Sequence, residues 1–149
     1  MEYLGYISAF FGNMLASSTV IFPIPFFVVY AYLATFLNPI LLATISAFGS
    51  ALGELISYMI GYIGSDLLKK NKYFKFARKW FKRNGALTIF LFAATPLPDD
   101  VVGLIAGAAN YNRSKFFVAC LFGKLLMFLF LAFAARYSLT SFLAFFHLS

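Results

Sequence analysis

Two apolar runs, each interrupted by one charge, set the terms on which this chain can fold. Ile40 to Ser65 contains only Glu54, and Phe116 to Ala135 contains only Lys124. Each reaches the roughly 20 residues that a helix needs to cross the hydrocarbon of a bilayer. A water-soluble domain could not hide the apolar surface that goes with them. Of the 149 residues 62% are hydrophobic and 11% charged, whereas soluble domains carry about a quarter charged. Lipid removes the need to hide it, and the chain reads as an all-α integral membrane protein. The opening Met1-Glu2 has no basic stretch before its long apolar segment, so the start is not read as a cleavable signal. Cys120 and His147 are the single cysteine and histidine, which predicts no internal disulfide, no metal site and no cofactor.

Charge gives direction. Eight of the twelve basic residues (Lys69, Lys70, Lys72, Lys75, Arg78, Lys79, Lys82 and Arg83) form an acid-free stretch, which the positive-inside bias places on the cytoplasmic side. Tyr73, Phe74, Ala77, Trp80 and Phe81 recur there at three- and four-residue spacing, one face of a helix. A basic helix with an aromatic face is expected in the membrane interface, with its cations and Trp80 at anionic headgroups. With membrane spans on both sides, the net charge of +7 is not read as a nucleic-acid patch.

The segment from Gly85 to Asn112 is long enough to span, yet its middle is Thr95-Pro96-Leu97-Pro98-Asp99-Asp100. Prolines break a helix, and carboxylates at that depth must face protein or water. Arg113 and Lys115 follow, a second basic flank. A segment that dips in and returns keeps both flanks cytoplasmic, so a re-entrant hairpin is expected, with its broken backbone buried or lining a cavity. The N-terminal third repeats this pattern. Pro23-Ile24-Pro25 lies 73 residues before Pro96-Leu97-Pro98, and Gly12 before Gly85. Asn38-Pro39 precedes the first long span as Tyr111-Asn112 precedes the second. Matched interruptions in two halves point to an inverted repeat. The expected layout is repeat one over about 8–68, an amphipathic interfacial helix over 69–84, repeat two over about 85–137 and a tail over 138–149. Each repeat is a re-entrant hairpin followed by a transmembrane helix. The result is a multi-pass protein of the cell membrane.

The stretch Gly49-Ser50-Ala51-Leu52-Gly53-Glu54-Leu55-Ile56-Ser57-Tyr58-Met59-Ile60-Gly61 resembles the glycine–acid–tyrosine–glycine helix of the DedA, or VTT-domain (SNARE-associated), membrane proteins. Pro96-Leu97-Pro98-Asp99 with Ala106-Gly107 resembles that family's second hairpin, and Pro23-Ile24-Pro25 its first. The resemblance covers roughly Ser17 to Tyr137. It implies helix packing through Gly49, Gly53, Tyr58, Gly61 and Gly107, and hairpin breaks at Pro23, Pro25, Pro96 and Pro98. It also implies lipid movement: bacterial members recycle polyprenyl-phosphate carriers, and eukaryotic relatives scramble phospholipids. This chain departs from the pattern. The family's hairpin arginines fall on Ala93 and Asp99, and Ser17, Ser18 or Thr19 stands where an acid usually precedes the first break. An anion clamp of two arginines therefore does not carry over. Lys124 and the half-helix N-termini remain for an anion.

Glu54 lies about 14 residues, roughly 21 Å, from the expected inner end of its helix, and Lys124 about 11 residues, roughly 17 Å, from its own. At matching depth the two are expected to pair, either as a structural bridge or as part of a substrate- or proton-linked site with Asp99 or Asp100. Asp66 beside Lys69 and Lys70 reads as an interfacial charge, and Arg136 as an outer anchor. Adjacent Asp99 and Asp100 diverge by about 100° on a helix, so they cannot form an aspartyl-protease dyad, and no enzyme is expected. The expected function is a flippase- or scramblase-like transporter of a lipid or polyprenyl-phosphate-type lipid, coupled to protons. An ion or small-solute carrier and a non-transporting scaffold are the alternatives. The expected partners are membrane lipids and anionic headgroups, with self-association left open and no nucleic acid.

Overall fold

The computed structural model describes residues 2–18, 24–95 and 100–147, and the described residues are helical without strands. The elements are α1 (Glu2–Ser18), α2 (Ile24–Phe36), α3 (Pro39–Ile63), α4 (Ser65–Leu68), α5 (Lys72–Ala93), α6 (Asp100–Ala108) and α7 (Arg113–His147). Two of them, α3 and α7 over Arg113–Phe145, are long and apolar enough to cross a bilayer. Both start at an asparagine cap. The Asn38 Oδ1 accepts from the Ile40 and Leu41 amides, and the Asn112 Oδ1 from the Ser114 and Lys115 amides. Each satisfies two of the donors that a helix start leaves open. The capping asparagines are 74 residues apart, one more than the offset between the Pro-x-Pro tripeptides, so Asn112 alone, not Tyr111-Asn112, answers Asn38.

Three expected boundaries shift. The first long helix ends at Ile63 rather than near residue 68, because Gly64, a poor helix former, closes α3 and the chain restarts as the short α4. The expected interfacial helix starts at Lys72 rather than residue 69 and runs on past residue 84 as one element, α5, bent at Asn84 (φ −127°, ψ 22°). The bend lies at the expected boundary. It is clasped by Trp80 Nε1 donating to Thr88 Oγ1 at 2.9 Å, while that hydroxyl donates to the Asn84 carbonyl. Residues 138–147, read as a tail, continue α7.

Helix α1 packs chiefly on α3, and α2 on α7; α6 packs on α3, and the inner part of α5 on α7, with α3 and α7 in contact between them. Glycines permit the close crossings. A Cβ at Gly61 would run into the Leu104 carbonyl oxygen and one at Gly107 into that of Tyr58, so α3 and α6 meet backbone to backbone. A Cβ at Gly49 would meet the Phe10 carbonyl on α1, and one at Gly123 would lie 2.7 Å from the Phe90 carbonyl oxygen on α5. The turn after α6 has Asn110 at φ 55°, with Tyr111 N–H bonded to Ala106 O and Asn110 N–H to Gly107 O. This is a Schellman end, which turns the chain sharply into α7.

Two apolar cores result. One gathers Ala9, Tyr30, Ala34, Leu42, Ala47 and Phe128 around α1, α2, α3 and α7. The other gathers Tyr58, Phe81, Ile89, Val102, Ala106 and Phe116 around α3, α5, α6 and α7. On α7 the second core ends at Cys120 and the first begins at Met127, with Lys124 at the seam. The outside is apolar too, with Ile56, Ile60 and Ile63 on α3 and Phe122, Phe130 and Phe133 on α7 exposed.

Candidate functional site

Helix α3 carries a polar stripe on a buried face. Ser46, Ser50, Glu54 and Ser57 recur at intervals of four and three, one side of a helix, and all four are buried. Glu54 is 1% exposed and Lys124 on α7 6% exposed, with Lys124 Nζ 3.6 Å from Glu54 Oε1. The expected ion pair is therefore formed. The two charges stand at similar distances from their helix ends. Since α3 ends at Ile63, Glu54 lies about 14 Å from that end, against about 17 Å for Lys124 from the start of α7. Asp100, 8% exposed, opens α6, where the positive end of the helix dipole favours a carboxylate. Its Oδ1 accepts from Ser57 Oγ at 3.3 Å. Ser57 stands one turn from Glu54, so both acids address the same stretch of α3. Gly103 makes room for this. A Cβ there would sit 3.1 Å from Ser57 Cβ and 3.5 Å from Glu54 Oε2.

Two carboxylates, an ammonium and the Ser57 hydroxyl thus occupy a layer walled by apolar cores, and Ser50 and Ser46 continue the polar stripe along α3. Burying an ion costs several kcal/mol unless it is paired, so the layer is held only because α3, α6 and α7 bring opposite charges together. Ser46 Oγ is buried without a hydrogen-bond partner among the described residues. Asn13 on α1, also buried, donates to its own helix through the Ala9 carbonyl at 2.7 Å.

The other residues singled out in the sequence divide clearly. Asp99, Pro23, Pro96 and Pro98 lie outside the described residues, while Pro25 falls in the first turn of α2, where a missing N–H costs nothing. Gly49, Gly61 and Gly107 are the contact glycines above, and Gly53 is buried on α3. Tyr58 donates its hydroxyl to the Tyr111 carbonyl and stacks tilted on Phe116 at 5.0 Å. The aromatic face of the basic helix is split. Phe74 and Phe81 are buried, Phe81 edge-on to Tyr111 at 6.2 Å, whereas Tyr73 is 85% and Trp80 48% exposed. The five positions span an arc of about 120°, and its Phe74–Phe81 edge meets protein while its Tyr73–Trp80 edge faces outward. Lys69, Lys70, Lys72, Lys75, Lys79, Lys82 and Arg83 are exposed and Arg78 is half-buried. Lys69 Nζ donates to Asp66 Oδ1 at 2.6 Å and holds that carboxyl below the usual carboxylate range.

Sequence reasoning missed Ser57 and Gly103, which connect Asp100 to Glu54. It also missed Ser46 and Ser50. The serine–serine–glutamate–serine spacing on an otherwise apolar helix was the available signal. Among the described residues no group of three His, Cys, Asp or Glu side chains could hold a metal ion.

These features define a helical protein with two bilayer-length helices and a buried, charged layer between them. Residues 18–137 match the VTT domain, and the chain belongs to that family, the DedA/SNARE-associated proteins, which are membrane-associated and linked in general to transport. The match starts at the last residue of α1 and ends within α7. No curated protein and no solved structure matches the chain.

Proposed function

We propose that this protein carries a phosphate-headed lipid across the cell membrane, with protonation of its buried acids linked to passage. The observation that supports this best is the Glu54–Lys124 pair, 3.6 Å apart and buried between two apolar cores beside Ser57 and Asp100. While Glu54 is charged, it engages Lys124. A proton on Glu54 removes that attraction and leaves the ammonium to take a lipid phosphate through charge-assisted hydrogen bonds. Loss of the proton on the other side restores the pair and displaces the headgroup. Ser46, Ser50 and Ser57 continue the polar stripe along α3, hydroxyls that can pass a headgroup along. The proposal involves no bond-making chemistry and no cofactor.

The architecture we propose for this work is two inverted repeats, each a re-entrant hairpin plus a transmembrane helix. Exchanging α1, α2 and α3 with α5, α6 and α7 leaves the principal packing partners unchanged, which supports the reading. So do the paired caps Asn38 and Asn112, and the glycines Gly49 and Gly123, each eleven residues beyond its cap and each admitting the backbone of a first arm. The basic stretch of α5 would lie on the cytoplasmic face, with Tyr73 and Trp80 toward lipid and the lysines at anionic headgroups.

Translocation of tail-labelled phosphatidylglycerol in proteoliposomes, with and without a pH gradient, tests the proposal. Wild-type protein should translocate the lipid at a pH-dependent rate. The double variant Glu54→Gln/Lys124→Met, which removes both charges of the pair, should remain folded and lose that activity. Lipid movement by the folded double variant at the wild-type rate would refute the mechanism. Flux of a small ion without lipid would support a solute carrier, and no flux of either a scaffold.

A further inference from the structure

Outside the central layer, the inner half of α5 and the first half of α7 border an open groove of about 720 Å³. Leu87, Phe90, Val118 and Phe122 form its walls, and the small Ala86 and Ala119 leave its width. Its surface is almost wholly apolar, and Ser114 and Lys115 border it at the start of α7. Gly85 packs on the Tyr111 ring and Gly123 on Phe90 and Ala93, so the two helices leave the basic face side by side and run in the same direction. One end of the groove therefore lies beside the cations at the start of α7. From Ser114 to Phe122 it extends about 12 Å along α7, most of the roughly 15 Å of hydrocarbon in one leaflet. Lys82 and Arg83 stand four residues before Ala86 and Leu87, and Arg113 precedes Ser114, whereas among the described residues no acid lines the groove.

We propose that this groove seats one acyl chain of an anionic phospholipid, with its phosphate at Lys115. An apolar strip that begins at a cluster of cations and reaches inward for one leaflet matches an anionic amphiphile end to end. The cap makes this a side-chain site. The Ser114 and Lys115 amides are already bonded to Asn112 Oδ1, so the helix terminus does not hold the phosphate. Lys115 is exposed and long enough to reach a headgroup from the groove mouth. A lipid parked here would wait at the flank of α7, the helix that carries Lys124. The inference rests on membrane insertion and not on translocation.

The test uses the full chain in bilayers and reads occupancy, so it can fail while translocation holds, and the reverse. Trp80 is the single tryptophan; in a Trp80→Phe background, Phe122→Trp places a fluorophore on the groove wall. Quenching by phosphatidylglycerol with brominated chains is compared with quenching by the brominated phosphatidylcholine analogue. One lysine at an anionic headgroup should give about a fivefold preference for phosphatidylglycerol. Lys115→Gln should bring the ratio close to one, and so should Ala119→Phe, which fills the groove and keeps every charge. Melting curves establish that each variant is folded. Equal quenching by the two lipids in the starting protein would overturn the proposal. So would a preference that survives both substitutions, since it would then belong to the basic stretch as a whole. Copy-to-copy cross-linking of Phe122→Cys in a Cys120→Ala background would replace the lipid with a second chain.

Discussion

Neutralising both members of the buried ion pair should destabilise the protein far less than the two single neutralisations add up to. At 3.6 Å, unit charges attract by about 5 kcal/mol for an effective dielectric near 20. Most of that only offsets the cost of taking both ions out of water. Lys124→Gln leaves Glu54, 1% exposed, as a charge without its ammonium, and Glu54→Gln leaves Lys124 likewise. Each single change should cost about 3–5 kcal/mol, and the double Glu54→Gln/Lys124→Met, which removes both charges of the pair, well below the sum of the two. The coupling from the cycle should then be several kcal/mol. The exchanged pair, Glu54→Lys with Lys124→Glu, should regain part of the loss. Recovery is partial because Glu54 Oε2 sits 3.5 Å from where a Cβ at Gly103 would stand, and a lysine there fits less well. Reversible unfolding in mixed micelles, followed by circular dichroism, supplies the free energies. Single losses that simply add in the double variant, or an exchange no better than their sum, would refute the account.

Gly61→Ala and Gly107→Ala place a methyl against the Leu104 and Tyr58 carbonyls, and should each lower stability by about 1–3 kcal/mol or more in the same assay; an unchanged midpoint would show that α3 and α6 do not cross this closely. Asp100→Asn keeps an oxygen that can accept from Ser57, so the melting temperature should hold while the pH dependence of lipid translocation is lost; unaltered pH dependence would remove Asp100 from the coupling. For topology, Lys82→Cys and Ser114→Cys, both at exposed positions and made in a Cys120→Ala background, should react with an impermeant maleimide from the same, cytoplasmic, side. Labelling from opposite sides would replace the re-entrant hairpin with an ordinary span. Gly85 is unsuitable for this probe, because a side chain there would lie 2.6 Å from the Tyr111 ring.

Features encoded over a few residues were legible without any structure. Apolar run length marked α3 and α7, Asn38 and Asn112 marked their starts, and the change of composition at Asn84 marked the bend inside α5. Local chemistry decides each of these: hydrophobic length, side-chain capping and helix propensity act within a turn or two. The lone charges in two apolar runs also announced a pair, since an isolated ion at such depth is too costly to leave unmatched. Other features depended on which helices touch. That Asp100 joins Glu54 through Ser57, and that Gly103 makes room for them, follows from the α3–α6 crossing, whose glycine contacts join residues more than forty positions apart. The division of the basic helix, with Phe81 against Tyr111 and Trp80 facing outward, was hidden for the same reason. Periodicity shows that a face is apolar, but only the packed neighbours decide whether protein or lipid covers it.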